Sequence, residues 1–155
     1  MSPSTFVEAA RHEVPLLRTD QSVGEAVATV LDSGMPALPV VDERGRLAGV
    51  FGEREFIHAV FPAYLDTLGH VGFVPKSLDR ALERGVGAAG DPVGEHMTTD
   101  HVEVGGDPSD AALAEIFLHH RVLIVPIVED GEVTGIVTRR EFFRALAERF
   151  RELSG

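Results

Sequence analysis

The sequence LPVVDERGRLAGVFGEREF, residues 38–56, occurs a second time in altered form as VPIVEDGEVTGIVTRREF, residues 125–142. The offset between the two copies is 87 residues at Pro39 and Pro126, and 86 residues at the later glycine of each copy. The single deletion therefore falls between two apolar runs, where a turn tolerates a change of length. We expect two copies of one supersecondary unit that complete a shared core and leave a cleft at their junction.

Composition limits the class of protein before any motif is considered. The chain has 155 residues, enough for one body of two small lobes, and 44% of them are hydrophobic, as in globular proteins. A net charge of −11 argues against nucleic acid as a partner. There is no cysteine, no apolar run of membrane-spanning length, and no signal-like start in residues 1–19. We therefore expect a cytoplasmic protein that does not enter the membrane.

Each copy is predicted to fold in the order strand, helix, strand, strand, helix. The hairpin strands are predicted at 37–41 and 47–51 and again at 124–128 and 133–137, with the second helices starting near Glu53 and Arg139. Short apolar runs at 14–17 and 102–104 are predicted to be the leading strands.

The first helix of each copy is predicted from its apolar spacing and its start signal. In the first copy Ser22 and Glu25 have the spacing of a capping box, and in the second Asp107 is the expected N-cap before Pro108. The residues expected to be buried are Val23, Ala26, Val27, Val30 and Leu31 in the first helix, and Leu113, Ala114, Phe117 and Leu118 in the second.

The residues between the copies belong to neither. A helix is predicted over 55–68 with Pro62 as a break or kink, then a short helix over 77–84 with Leu78, Ala81 and Leu82 on one side, then a linker over 85–92. This insertion carries Phe61 and Tyr64 and is apolar enough to pack on the body or on a second subunit.

The whole string, present twice, resembles a tandem pair of CBS domains, named after cystathionine beta-synthase. The second copy is also preceded by VGEHMTTD, residues 93–100, which is similar to the entry of a second CBS repeat. The resemblance implies an α/β fold of the α+β kind, with two repeats packed about a pseudo-twofold axis. We assign repeat one to residues 14–60, a helical insertion and linker to 61–92, and repeat two to 93–153.

The resemblance also implies a regulatory module that binds an adenosine nucleotide (AMP, ADP or ATP) between the repeats. In repeat two the matching residues are Thr138, facing phosphate, and Glu141, accepting hydrogen bonds from the ribose hydroxyls, with Arg139 and Arg140 as phosphate partners. The alternative is that Thr138 and Glu141 are only the capping box of the helix that follows.

Repeat one departs from this pattern, because Gly52 stands at the hydroxyl position and only Glu55 remains. Both acids are Glu where Asp is commoner in the family, so repeat two is the better candidate site. The adenine is expected against the chain before each strand proline. The residues expected there are Met35, Pro36 and Ala37 in repeat one, and Val122, Leu123 and Ile124, leading to Pro126, in repeat two; Thr98 and Thr99 are further hydroxyl candidates.

No arrangement of residues indicates catalysis, and no cofactor is expected beyond the regulatory nucleotide. The histidines at 96, 101, 119 and 120 lack the i, i+4 spacing of a helical zinc site, so no metal site is predicted.

A second hypothesis is a ligand-free module for dimerisation and interaction, favoured by Gly52 and the negative charge. We also expect a homodimer through the helices starting near Glu53 and Arg139, and an unidentified protein that the module regulates. The apolar residues assigned to this interface are Phe142, Phe143, Ala145, Leu146 and Phe150, with Phe61 and Tyr64 nearby.

Overall fold

The computed structural model describes residues 5–61 and 77–155, which form six α-helices and two small three-stranded sheets. In chain order the elements are α1 (Thr5–Ala10), β1 (Arg11–His12), β2 (Leu17–Arg18), α2 (Val23–Ser33), β3 (Ala37–Val41), β4 (Leu47–Gly52), α3 (Glu53–Val60), α4 (Leu78–Gly85), α5 (Asp110–His119), β5 (Ile124–Glu129), β6 (Glu132–Thr138) and α6 (Arg139–Ser154). Two 3-10 helices, Val86–Gly90 and Val93–Glu95, lie between α4 and α5.

Each sheet is built on one hairpin of the duplicated sequence. Strands β3 and β4 are antiparallel, with β2 parallel to β3, and strands β5 and β6 are antiparallel, with β1 antiparallel to β6. Both hairpins carry a register shift just before the turn, at Val40/Val41 and at Ile127/Val128. The two copies therefore share even their irregularity, as the duplicated sequence predicts.

The chain crosses between the repeats twice. The segment that precedes repeat one joins repeat two, where His12 pairs with Ile136. The segment that precedes repeat two joins repeat one, where Thr98 pairs with Val50. These two pairs are counterparts, since each residue of one pair lies 86 positions from its equivalent in the other. Each repeat thus receives a segment from in front of the other, as expected if a pseudo-twofold axis relates the two repeats.

The core is divided in the same way. One cluster, including Leu17, Leu38 and Phe51, fills repeat one and also takes in Val93 from the segment entering repeat two. A second cluster, including Leu113, Ile127 and Phe142, fills repeat two and takes in Val7 and Ala10 from α1. A third cluster lies at the seam between the sheets and joins Ala37 with Ile124 and Ile136.

The hairpin turns contain the length difference between the copies. Repeat two turns tightly at Asp130 and Gly131, both at positive φ (54° and 81°), whereas repeat one has a longer turn that needs Gly45 at φ 78°. In the longer turn the carboxylate of Asp42 accepts hydrogen bonds from the backbone amides of Arg46 and Arg44, which lower the pKa of Asp42.

Several predicted burials are wrong. Leu31 is 75% exposed. Strand β4 and the Val86–Gly90 helix pack on α2, and only Val23, Ala26 and Val30 of this helix are buried. In α5 only Leu113 is buried, while Leu118 is 79% exposed and Ala114 is exposed as well. Helix α5 packs on α1 along one edge, which leaves most of its apolar residues half-buried or uncovered.

The start of α5 also differs from the prediction. Its N-cap is Ser109, whose hydroxyl accepts a hydrogen bond from the amide of Ala112 at 3.1 Å, and not Asp107. Asp110 in the first turn accepts a hydrogen bond from the amide of Val7 at 2.9 Å. This contact ties the first turn of α5 to α1, a partner that local spacing does not reveal.

The leading strands are shorter than predicted. Strand β2 occupies Leu17–Arg18, not 14–17, and in place of 102–104 there is a single parallel bridge between Val104 and Ile127.

The insertion is described only in part. Helix α3 ends at Val60 with Phe61 as its C-cap, so the prediction for 62–68, including Tyr64, falls outside the described residues. Helix α4 forms at Leu78–Gly85, although Leu78 and Leu82 are exposed. The predicted linker is a 3-10 helix packed on α2, since Ala89 lies directly against Gly24.

Candidate functional site

A cleft of about 530 Å³ lies where the start of α6 faces residues of repeat one. We call it the repeat-two cleft. Its polar residues come from the beginning of α6 and from Glu53 at the beginning of α3. Its apolar wall comes from the approach to β3 and from Leu123, the residue before β5. The residues that line it include Met35, Pro36, Glu53, Leu123, Thr138, Arg139, Arg140, Glu141 and Phe143.

Thr138 is both the last residue of β6 and the N-cap of α6. It is 3% exposed, and its hydroxyl oxygen accepts a hydrogen bond from the amide of Glu141 at 3.1 Å. The carboxylate of Glu141 accepts no hydrogen bond from any of the residues that the structure describes. Only half of the predicted capping box therefore forms, and the half-buried carboxylate of Glu141 remains available to a ligand.

The first turn of α6 also offers a free backbone donor. The amide of Arg139 donates to the carbonyl of Leu123 at 2.9 Å, and the amide of Glu141 is engaged by Thr138. The amide of Arg140 has no partner within residues 5–61 and 77–155. A helix N-terminus with a free amide, a hydroxyl and adjacent arginines favours an anion at this end of the cleft.

Charged and apolar side chains both line the repeat-two cleft. The side chains of Arg139 and Arg140 are exposed beside Glu53 and Glu141, so the formal charges of the lining cancel. Met35 and Pro36 supply apolar surface from repeat one, and Phe143 stands 67% exposed at the rim. Such a cleft can accept a ligand that carries both an anionic group and a flat apolar ring.

The corresponding cleft of repeat one, which we call the repeat-one cleft, has a volume of only about 100 Å³. Its acid is Glu55, whose two oxygens accept hydrogen bonds from the amide of Gly52 at 2.9 Å and from the hydroxyl of Thr98 at 2.6 Å. A Cβ at Gly52 would collide with the carbonyl oxygen of Pro36 and with Ala37. Close backbone packing thus explains the glycine, and it leaves no room for a hydroxyl residue here.

The structure divides the predicted binding residues between the two clefts. The repeat-two cleft contains Thr138, Arg139, Glu141, Met35 and Pro36. The repeat-one cleft contains Glu55, Thr98, Ala37, Val122 and Ile124, and Leu123 borders both. Each cleft is therefore lined by residues of both repeats.

Two predicted residues lie at neither of these clefts. Pro126 is buried in β5 opposite Ile136, where its carbonyl accepts a hydrogen bond from Val104. Thr99 is exposed and does not line either cleft in the described part of the chain.

Several cleft residues were missed by sequence reasoning. Glu53 and Phe143 belong to the repeat-two cleft, and Arg54, His101 and Arg121 to the repeat-one cleft. Glu53 and Arg54 follow directly after β4, as Arg139 and Arg140 follow β6. Comparison of the two repeats could therefore have predicted that Glu53 and Arg54 line a cleft. His101 and Arg121 lie on connecting segments with no periodicity, and nothing in the sequence indicates their position.

A third cleft of about 660 Å³, the α3 cleft, lies beside α3 and the segment 95–98. Near it the ligand atoms of Asp91, Glu95 and His96 all lie within 4.8 Å of one another, close enough to hold a divalent cation. His96 already makes a hydrogen bond of 2.8 Å with Asp91 through Nε2, which accounts for this pair without a metal. The absence of a metal site remains a prediction.

Comparison with known proteins identifies the class. The model of the CBS domain family matches residues 7–62 and again residues 93–148, so the chain belongs to this family and carries two copies of the domain. Pairs of CBS domains are regulatory modules and are generally not themselves enzymes. No helix in the described residues is both long and apolar enough to cross a membrane.

Among solved structures, the CBS domain of a membrane protein from Sphaerobacter thermophilus has a TM-score of 0.70 at 24% identity, covering 92% of this chain and 87% of that one. CBSX2 in complex with AMP has a TM-score of 0.66 at 20% identity, covering 94% and 96%. An uncharacterized protein of Methanocaldococcus jannaschii is 27% identical over 149 residues, or 96% of this chain. The chain spans only 33% of that relative's length.

Proposed function

We propose that this CBS pair is a regulatory module that binds an adenosine nucleotide in the repeat-two cleft and acts on a partner protein. The observation that carries the proposal is the arrangement around Thr138 and Glu141. A hydroxyl and a free amide lie at the start of α6, and an unengaged carboxylate lies one turn further on. A fold neighbour, CBSX2, was solved with AMP, which makes the adenosine nucleotides the first ligands to test.

Each part of the cleft suits one part of the nucleotide. The hydroxyl of Thr138, the amide of Arg140 and the two arginine side chains offer donors to phosphate oxygens. The carboxylate of Glu141 offers two acceptor oxygens to the vicinal ribose hydroxyls. Met35, Pro36 and Leu123 provide apolar surface against which a purine can lie.

The proposed response passes through α6, because this helix begins at the cleft and extends to Ser154. A nucleotide shifts an equilibrium only if it binds one arrangement of the helix more tightly than another. Two exposed apolar residues of α6, Phe150 at 70% and Leu153, are not among the residues that line the cleft. We propose that these residues form the homodimer interface and that occupancy of the cleft biases how this surface meets a partner.

The test of ligand binding uses the purified full chain. The protein is prepared without added nucleotide and denatured, and the released small molecules are identified. Calorimetry then compares adenosine, AMP, ADP and ATP with GMP as a base control. Saturable binding of an adenine species, with GMP weaker, supports the proposal. No released nucleotide and no saturable binding at millimolar concentration, with the protein folded, would remove it.

A ligand-free dimerisation and interaction module is the second candidate. The Thr98–Glu55 hydrogen bond occupies the acid of the repeat-one cleft, and the net charge of −11 opposes polyphosphates. An empty protein that forms a tight dimer and ignores every nucleotide in the calorimetric series would favour this alternative.

A further inference from the structure

The two clefts differ in what already occupies their acidic residue. Both oxygens of Glu55 accept hydrogen bonds from the protein, one from the amide of Gly52 at 2.9 Å and one from the hydroxyl of Thr98 at 2.6 Å. In the repeat-two cleft the carboxylate of Glu141 accepts none from the described residues. Thr98 therefore gives Glu55 the kind of hydroxyl donor that a ribose would give it.

The position of Thr98 is fixed by its backbone. Its amide donates to the carbonyl of Val50 and its carbonyl accepts from the amide of Val50, both at 2.9 Å. A Cβ at Gly49 would lie 2.6 Å from the carbonyl oxygen of Thr98 and 2.9 Å from the sulfur of Met97, so the two segments are in close contact. The Thr98 hydroxyl cannot leave Glu55 by a shift of the segment without breaking this bridge.

The residues of the Thr98–Glu55 contact also line two cavities. Arg54, Glu55 and Thr98 line both the repeat-one cleft, of about 100 Å³, and the α3 cleft, of about 660 Å³. The smaller volume is below the few hundred Å³ that a drug-sized or nucleotide ligand needs. The contact therefore lies where the small repeat-one cleft borders the larger α3 cleft.

Repeat two has no equivalent of this contact. The residue corresponding to Thr98 is His12, which pairs with Ile136 as Thr98 pairs with Val50. His12 has no hydroxyl, and its buried Nε2 has no hydrogen-bond partner in the described part of the chain. His12 makes no hydrogen bond to Glu141 in the described residues, so the carboxylate of Glu141 is left free.

We infer that Thr98 is a built-in latch that closes the repeat-one cleft, so that each chain binds one nucleotide, at the repeat-two cleft. This inference rests on the proposed function. Under this inference, Thr98 and Glu55 determine which of the two clefts binds the nucleotide. A nucleotide entering the repeat-one cleft would have to displace a charge-assisted hydrogen bond and would find no hydroxyl at Gly52, so it would bind at least about tenfold more weakly.

The test measures the stoichiometry of AMP by calorimetry on the full chain and on four variants. The wild type is expected to bind one AMP per chain, and Glu55→Gln is expected to keep that site because Glu55 does not serve it. Glu141→Gln is expected to lose it. Thr98→Ala removes the hydroxyl that occupies one oxygen of Glu55, so a second and weaker site is expected. Thr99→Ala, the exposed neighbour, is the matched control and is expected to remain at one.

Each other outcome contradicts a stated part. Two AMP per wild-type chain, or loss of binding in Glu55→Gln, overturns the assignment of the single site. A Thr98→Ala variant that is folded by circular dichroism and still binds one AMP overturns the latch. If the folded wild type does not bind AMP, both the proposed function and this inference are overturned. This outcome differs from the other failures because the Glu55→Gln and Thr98→Ala variants then bind no AMP either.

Discussion

The amide of Glu141 donates a hydrogen bond to the hydroxyl of Thr138, but the carboxylate of Glu141 does not return one to the backbone of Thr138. In repeat one the opposite half of the same motif is present, because the carboxylate of Glu55 accepts from the amide of Gly52 and glycine has no hydroxyl. Each repeat thus keeps one half of a capping box. In repeat two the hydroxyl of Thr138 satisfies one backbone amide in the first turn of α6, and the carboxylate of Glu141 is left available to a ligand.

Replacing Thr138 with alanine is expected to reduce both stability and phosphate binding. The lost N-cap should lower the free energy of unfolding by about 1 kcal/mol. AMP and ATP should lose more affinity than adenosine, because only they carry the phosphate that the hydroxyl would contact. Thr138→Ser keeps the cap oxygen and is the control. Denaturant unfolding and calorimetry measure the two effects. If adenosine and AMP weaken equally, Thr138 does not face the phosphate.

Replacing Glu141 with glutamine is expected to reduce binding without a matching loss of stability. Its carboxylate makes no hydrogen bond with the described residues, so unfolding should change by less than about 0.5 kcal/mol. Adenosine and AMP should both weaken by about tenfold or more, since the ribose loses a charged acceptor. Glu148→Gln, on the exposed surface of the same helix, is the control. A Glu141→Gln variant with unchanged affinity for both would place the ribose elsewhere.

Introducing a hydroxyl at Gly52 is expected to damage repeat one and not to create a second site. The Cβ of serine would collide with the carbonyl of Pro36 and with Ala37, so Gly52→Ser should destabilise the chain by about 1–3 kcal/mol. Gly90→Ala is the matched control, because nothing lies within 4 Å of a Cβ there and its φ is not positive. Chemical denaturation compares the two variants. A stable Gly52→Ser chain would contradict the packing explanation.

The duplicated hairpins were predictable because short apolar runs and turn residues are local signals that both copies repeat. Residues at strand ends, such as Thr138 and Glu141, were predictable for the same reason. The exchange of segments between the repeats could not be predicted, because β1 has only two residues and its partner β6 lies more than a hundred residues away in the chain. The Thr98–Glu55 contact depends on this exchange, so it has no signature in either repeat alone.

Burial on the helices was predicted less well than their positions. Apolar spacing in α2 and α5 identifies a helix, but it does not reveal how wide a face the neighbours cover. Leu31 and Leu118 are therefore exposed although both continue an apolar stripe. The start of α6 was predicted correctly because Thr138 caps it, whereas α5 is capped by the hydroxyl of Ser109 and not by the predicted Asp107.

The exposed face of α6 differs from the predicted interface. Phe142 is buried and packs against Phe117, with ring centroids 5.5 Å apart, and Ala145 is half-buried. The apolar residues that remain exposed have the alternating three- and four-residue spacing of a helix-packing seam and are Phe143, Leu146, Phe150 and Leu153. Helix α3 adds the exposed side chain of Ile57, and these residues form the surface that we propose a second copy covers.

A charged residue on this surface is expected to dissociate the homodimer. Light scattering at micromolar concentration should give about twice the chain mass of 16.7 kDa for the wild type and the chain mass for Phe150→Glu. Leu118→Glu is the control, because Leu118 is similarly exposed but lies on α5 and is not among the residues assigned to the interface. Its dimer should persist, since burying a carboxylate is costly only inside an interface. A wild type that is monomeric, or a Leu118→Glu variant that dissociates as readily, would show that α6 is not the dimer surface.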